Sequence, residues 1–388
     1  MTQSPSEPVP LVWVLLGDKA GDNAQCLALA EALGWPFQIR SLKWRLVFWV
    51  SNHLLGASLL TLDHRRSDRL EPPWPDLVIA IGRRSVPIAR WIRWQSGGRT
   101  KLVQIGRPQA PLRLFDLVVT TPQYRLPPGP NVLHLSRPLH LVRQERLEQE
   151  GEVWRPRLSH LPRPWIALLV GGPTSHLRLS PSVVREMVRL VEAAAIAKGG
   201  SMLISTSRRT PPQVAEAIEE AVRVPHQLHR WRPVPHENPY FAYLALADEF
   251  FVTGDTASML SEACATGKPV TILPLPAVDG LVEWTTRVIP AGIAAIAGKK
   301  RAKRILGRLS ALGLVRLRRD IARLHHAMLE RGLARLPGMP PTVAPIPALD
   351  ERALAADRVR RLFVPTRGGG SRASLPSFGN SAYGEPAA

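Results

Sequence analysis

The chain has little of what stabilises or identifies several common protein classes. Of its 388 residues only two, Cys26 and Cys264, are cysteine. Both sit in apolar helical patterns, which reads as buried small side chains and not as a disulfide framework, and this fits a reducing compartment. No run approaches the ~20 apolar residues of a spanning helix. The opening MTQSPSEPVP lacks a basic segment followed by an apolar one, so no signal peptide is expected. Solenoid repeats are missing, as are G-x-G-x-x-G, the G-K-[ST] ending of a P-loop and any motif that requires a metal. Acidic residues are scarce: 31 against 51 lysines and arginines, a formal charge of +20. That balance suggests an anionic partner, whether a phosphorylated ligand, an acidic membrane surface or nucleic acid. No nucleic-acid recognition motif accompanies the charge, so nucleic acid is not the expected partner.

What is present is an alternation of apolar strands and helical segments. Strands are predicted at 11–16, 76–81, 101–105, 116–120 and 131–135, then at 165–170, 201–206, 249–253 and 270–273. Helices are predicted at 23–33, 86–94, 181–198, 212–222, 239–247 and 256–266. Continuous apolar strands alternating with helices mean parallel sheets covered on both faces. The series breaks near 137–163, which predicts an α/β protein of two doubly wound, Rossmann-like domains facing a cleft. The expected boundaries are a disordered start at 1–10, a first domain at 11–150, a second at 151–337 and a disordered tail at 338–388, rich in Pro, Gly, Ala and Ser.

In such sheets ligands bind beyond the carboxyl ends of the strands, where helix N-termini present free N–H groups. In LLGDKAGDNAQ, Gly17 and Gly21 permit a tight turn. Asp18 or Asp22 there is equally a helix cap or a functional carboxylate. In LLVGGPTSH, Gly171-Gly172 with Thr174 and Ser175 is either a plain Gly-Pro turn or a wrap for an anion or hydroxylated ligand. In FVTGDTASMLSEACATGKPV, Gly254 and Asp255 form the turn, and Ser258 and Glu262 share a helical face. Glu262 is read either as a solvated acid favoured by the helix dipole or as a carboxylate that accepts ribose hydroxyls. Arg208 and Arg209 in STSRRTPP suit a diphosphate. Gly82-Arg83 and Gly106-Arg107 repeat the basic theme at strand ends of the first domain.

Together GDKAGDNAQCLALAEALG, PDLVIAIGRRSVPIA, QIGRP, LLVGGPTSH, STSRRTP, NPYFAYLALAD and VTGDTASMLSEACATGKPV resemble the bacterial branch of the mitochondrial-fission (elongated mitochondria) family, in order and spacing, over residues 11–290. That family in turn is similar to GT-B glycosyltransferases. The resemblance implies a nucleotide-diphosphate sugar donor, UDP-linked in similar enzymes, with no further cofactor. It implies Glu262 on the ribose, with Gly171, Gly172, Thr174, Ser175, Arg208, Arg209, Gly254, Asp255 and Ser258 around the diphosphate. Gly17, Gly21, Arg83 and Arg107 would lie on the acceptor side. Many such enzymes carry histidine after the second glycine of the first loop. Here that residue is Asp22, and the expected base is Asp18, Asp22 or another group.

A lipid-linked or envelope glycan acceptor, and a peripheral place on the cytoplasmic face of the inner membrane, are further expectations. The resemblance implies the acceptor, since the acceptors of similar transferases are lipid-linked; the aromatic, base-flanked segment 42–60 and the basic segment 298–326 suggest the membrane location. The competing readings are a non-hydrolysing nucleotide-sugar epimerase, which shares this architecture, and a non-catalytic interaction protein on a transferase scaffold.

Overall fold

The structure is a computed structural model that describes residues 9–45, 50–174, 176–233, 237–278, 319–340 and 350–364. In chain order its strands and helices are β1 (Val12–Leu16), α1 (Ala20–Leu33), β2 (Phe37–Ser41), α2 (Asn52–Leu55), β3 (Leu77–Ile81), α3 (Val86–Gln95), β4 (Lys101–Ile105), β5 (Leu117–Thr120), β6 (Val132–His134), α4 (Gln144–Trp154), β7 (Trp165–Val170), α5 (Pro181–Ala197), β8 (Ser201–Thr206), α6 (Pro212–Ala221), β9 (His226–His229), α7 (Tyr240–Leu246), β10 (Glu249–Thr253), α8 (Ala257–Ala265), β11 (Val270–Leu273), α9 (Ile321–Glu330) and α10 (Glu351–Arg360).

Two parallel sheets result. The first runs β2-β1-β3-β4-β5-β6 and the second β11-β10-β7-β8-β9. The inner strands β7 and β8 are buried along their whole length, as near-continuous apolar runs require when helices cover both faces. Each sheet has one point where successive strands depart in opposite directions: between β1 and β3, and between β7 and β10. A crevice opens at such a point beyond the strand ends. The turns after β1, β3, β7 and β10 carry Gly17, Gly82, Gly171 and Gly254, so the glycine-bearing turns flank both crevices.

Three boundaries differ from expectation. First, β2 and β9 were not predicted. They are edge strands of mixed, half-exposed sequence, FQIRS and HQLH, and have no apolar run to reveal them. Second, α4 crosses residue 150. Its Leu147, with Val142 before it, belongs to the core of the second domain, whereas Leu139 belongs to the first. The boundary therefore falls between Leu139 and Val142. Third, disorder throughout 338–388 is corrected for residues 350–364. There α10 lays Ala355, Ala356 and Val359 into the core of the first domain, beside α1. The Asp350 carboxylate accepts the Arg352 and Ala353 N–H groups, 3.1 Å each, and caps the helix.

Between the sheets, α9 serves both domains. Leu324 and Met328 enter the second core. Ahead of the helix, Asp320 pairs with Arg125 and donates its N–H to the Gln123 carbonyl at 2.9 Å, both in the first domain.

The segment 42–60, expected at a membrane, is partly consumed by the first core. Leu42 and Leu55 are buried, and Trp44 packs against that core. Leu54 (83% exposed) and Leu60 remain outside it. Residues 46–49, with Phe48 and Trp49, and residues 298–318 of the basic segment lie outside the described residues. Among the described residues no helix is long and apolar enough to cross a membrane.

Candidate functional site

The turn after β1 is closed by a side chain the sequence did not single out. Asn23 accepts the Gly17 N–H and donates to the Gly17 carbonyl, 2.9 Å each. Lys19 occupies the N-cap position without a side-chain cap bond, so neither aspartate caps α1. Asp18 is turned outward to Lys43 at 3.0 Å. Asp22 lies in the first helical turn, 4.0 Å from Lys19. Its charge is close enough to Tyr124 to help burial push that phenol's pKa up.

Tyr124 itself follows β5. It fills the space over Gly106, where a Cβ would come within 3.1 Å of the ring, and the Arg319 guanidinium stands 5.7 Å from its centroid. Arg107 is buried beside it. Burial first, then Arg125, pushes the Arg107 pKa down to about 10, with Tyr124 opposing. Arg83 is directed to the Val50 carbonyl at 3.4 Å.

In the second domain the two turns at the crevice are locked together. Thr253 Oγ1 accepts the Gly171 N–H at 2.8 Å and donates to Asp255 Oδ1 at 2.7 Å. Asp255 Oδ2 accepts the Gly172 N–H at 2.9 Å and pairs with Arg209 at 2.6 Å. Arg209 also donates to the Gly172 carbonyl at 3.2 Å, and Thr210 to the Gly171 carbonyl at 2.5 Å. The Asp255 side chain has no exposed surface. It was expected to touch ligand, but the structure turns it inward, because a buried carboxylate needs the N–H and guanidinium donors that surround it. The glycines are needed by close approach. A Cβ at Gly171 would strike the Asp255 carboxylate, and one at Gly172 the Arg209 backbone carbonyl.

Thr174 closes its own turn by accepting from the His176 and Leu177 N–H groups at 3.3 and 3.1 Å. Ser175 lies outside the described residues. Arg208 is exposed at the tip of the turn after β8.

Along α8 three polar residues have three different neighbours. Ser258 faces the first domain: a Cβ on Gly21 would lie 2.5 Å from its Oγ. The N-terminal turns of α1 and α8 therefore meet across the cleft. Ser261 donates to the Pro138 carbonyl at 2.8 Å, just ahead of the domain boundary, so it ties α8 to the end of the first domain. Glu262 is 8% exposed. Its Oε2 accepts the Tyr240 hydroxyl at 2.5 Å. Burial pushes its pKa up to about 7, against the opposing effects of the Tyr240 hydrogen bond and the Arg146 charge. The solvated-acid reading of Glu262 is thereby excluded.

One further side chain enters the site from α9. A Cβ at Gly254 would come within 2.8 Å of His325 Cε1, and the His325 ring is held to the Gly254 backbone. Burial lowers the imidazole pKa, while that bond and the charges of Asp255 and Asp320 oppose the shift. Sequence reading missed Tyr124, Tyr240 and His325. The tyrosine before Phe241 sits in the NPY helix start and could have been suspected. The other two reach the cleft only through long-range packing.

Taken together, the structure gathers Gly21, Ser258, Glu262, Gly171, Gly172, Arg209 and Gly254 at the crevice, with Asp22 one residue beyond the closest contact. Asp18 is instead engaged by Lys43, and Arg83 reaches the Val50 carbonyl. Among the described residues no cluster of His, Cys, Asp and Glu has the spacing to hold a metal ion.

Comparison with solved structures gives several likenesses that cover most of the chain. The S. aureus MnaA–UDP co-structure matches with a TM-score of 0.46 at 12% identity, over 91% of this chain and 95% of that one. MurG from Acinetobacter baumannii matches with a TM-score of 0.40 at 15% identity, over 91% and 100%. UDP-GlcNAc 2-epimerase from Methanocaldococcus jannaschii matches with a TM-score of 0.46 at 10% identity, over 91% and 99%. The fold assignment rests on the strand orders above.

Sequence relatives are nearer. The Mitochondrial fission protein ELM1 of Arabidopsis thaliana is 29% identical over 242 residues, 57% of this chain. The matched part spans 56% of that plant protein's length. The uncharacterized protein RP120 of Rickettsia prowazekii (strain Madrid E) is 24% identical over 302 residues, 70% of this chain and 85% of that protein. The family model described as Mitochondrial fission ELM1 matches residues 20–363, so the chain belongs to the Mitochondrial fission ELM1 family.

Proposed function

We propose that the cleft binds a nucleotide-diphosphate sugar and transfers its sugar to an acceptor hydroxyl. The observation that carries this reading is the meeting of two doubly wound sheets at their carboxyl ends, close enough for Gly21 to touch Ser258, with a buried carboxylate one helical turn further on. Glu262 Oε2 is taken by Tyr240, which leaves Oε1 for a ribose hydroxyl. The diphosphate would lie over the N-terminus of α8 and the turn after β7. There Arg208 and the helix N–H groups would stabilise charge on the departing nucleotide. Asp255 and Thr253 act one step back and fix the shape of these turns. Asp22, at the start of α1, is the proposed base for the acceptor hydroxyl. Exposed Leu54 and Leu60 follow Lys43 and Arg45, and support an acceptor presented at an anionic membrane surface.

The second reading is a two-domain nucleotide-sugar epimerase, which needs histidine and carboxylate groups in the cleft. His325 against Gly254 favours it. Incubation of the full chain with UDP-N-acetylglucosamine, followed by NMR, separates the two. Transfer or slow hydrolysis releases UDP and inverts or retains the anomeric centre. Epimerisation leaves the nucleotide-sugar bond intact and changes a ring carbon. Unchanged donor over a panel of nucleotide sugars, with and without membrane extract as acceptor source, would leave the scaffold without the proposed chemistry.

A further inference from the structure

A second polar cavity lies beside the domain boundary, is lined by none of the residues gathered at the cleft, and plays no part in the function proposed above. It has a volume of about 230 Å³ and is lined by three separate stretches: Arg137 to His140 of the linker, Ala265 at the end of α8, and Asp350 to Arg352 at the start of α10. These are the pieces that join one domain to the other.

The charges around it are unequal in how they are satisfied. Glu351 accepts the N–H groups of Ser136 and Arg137 with its two oxygens. Asp350 is committed through Oδ1 to the cap of α10. Arg352 donates to the Val142 carbonyl at 3.4 Å. Arg137 differs. It is 6% exposed, yet its Nη1 has no hydrogen-bond partner among the described residues, and neither does the buried His140 Nδ1. A guanidinium group removed from water without a partner is costly, so its free N–H calls for an acceptor. His140 stays neutral under burial and the two arginines, and its Nδ1 can exchange one hydrogen bond with a hydroxyl.

We infer that this boundary cavity is a binding site for a phosphate-sized oxyanion, held by Arg137 through its unpartnered Nη1 and by His140 through a hydroxyl of the anion. A monoprotonated phosphate supplies acceptor oxygens for Arg137 and one O–H for His140. The volume accommodates it, and Arg352 adds a second positive charge at the rim. The bound anion would bridge residues 137–140 and α10, next to the Pro138 carbonyl that Ser261 holds.

Isothermal titration of the full chain with inorganic phosphate, in saturating UDP to occupy the cleft, tests this. Glucose 1-phosphate in a parallel titration separates a free ion from a phosphomonoester. Saturable binding of one or both is expected, weakened about tenfold or more in Arg137→Gln, the weight of one charge-assisted hydrogen bond. Where Arg137→Gln loses its cooperative melt, hydrogen–deuterium exchange of the unaltered chain replaces it. Phosphate is then expected to slow exchange at residues 137–140 and 350–353 together. Phosphate binding of equal strength in Arg137→Gln, no saturable binding of either probe, or unchanged exchange at both segments overturns the proposal.

Discussion

Glu262 is an acid placed where its charge is opposed, and that makes a pH-dependent prediction. Its pKa rises from an ordinary 4.5 to about 7. A carboxyl raised in the folded state binds its proton more tightly there than in the unfolded chain. Stability therefore falls as pH rises from about 4.5 to about 7, and the cost is fully present above that window. Glu262→Gln keeps the shape and removes the charge. It is expected to raise Tm relative to the parent at pH 8 by the equivalent of about 1–3 kcal/mol, and much less at pH 5. Thermal melts at the two pH values check it, and an equal gain at both would contradict the assignment.

Glycines supply a second comparison at this scale. At Gly172 an added Cβ meets the backbone of Arg209, which cannot move aside, whereas at Gly21 it meets only a serine hydroxyl of the other domain. Gly172→Ala is expected to destabilise by about 2 kcal/mol or more, as overpacking of a fixed backbone does. Gly21→Ala is expected to leave both domains folded and to weaken nucleotide binding by holding the cleft apart, and Ser258→Ala in the same chain to restore it. Melting curves and a binding titration of the three variants distinguish these outcomes.

Among elements, α10 carries the clearest expectation. The helix sits between a Pro-rich and a Gly-rich stretch, and its sequence ERALAADRVR is weakly apolar. Its buried apolar residues are two alanines and a valine, beside the buried Glu351, too little contrast for a sequence pattern to reveal. A chain ending at residue 349 is expected to lose first-domain stability. Val359→Asp is expected to cost about 3 kcal/mol, because the charge would enter a core without a partner. Denaturant melts measure both, and an unchanged midpoint would show that α10 is dispensable. The strands legible in the sequence were those buried on both faces, such as WIALLV and SMLIST. The edge strands β2 and β9 were not, because their residues face water and core in a mixed order. The glycine turns were legible because backbone approach demands that residue type. The inward role of Asp255, the Tyr240 hydroxyl on Glu262 and the arrival of His325 were not, since each depends on elements far apart in the chain.

For the whole molecule, the two sheets are tied at the linker, at α9 and at α10, and the cleft between them is the centre of the account. The measurement that tests it most directly is calorimetric titration of the full chain with UDP and other nucleoside diphosphates, beside the same titration of Glu262→Ala. The account expects one saturable site per chain, with affinity lost about tenfold or more in the variant while its melting stays cooperative. Absence of binding for every nucleoside diphosphate, or equal affinity in Glu262→Ala, would contradict it.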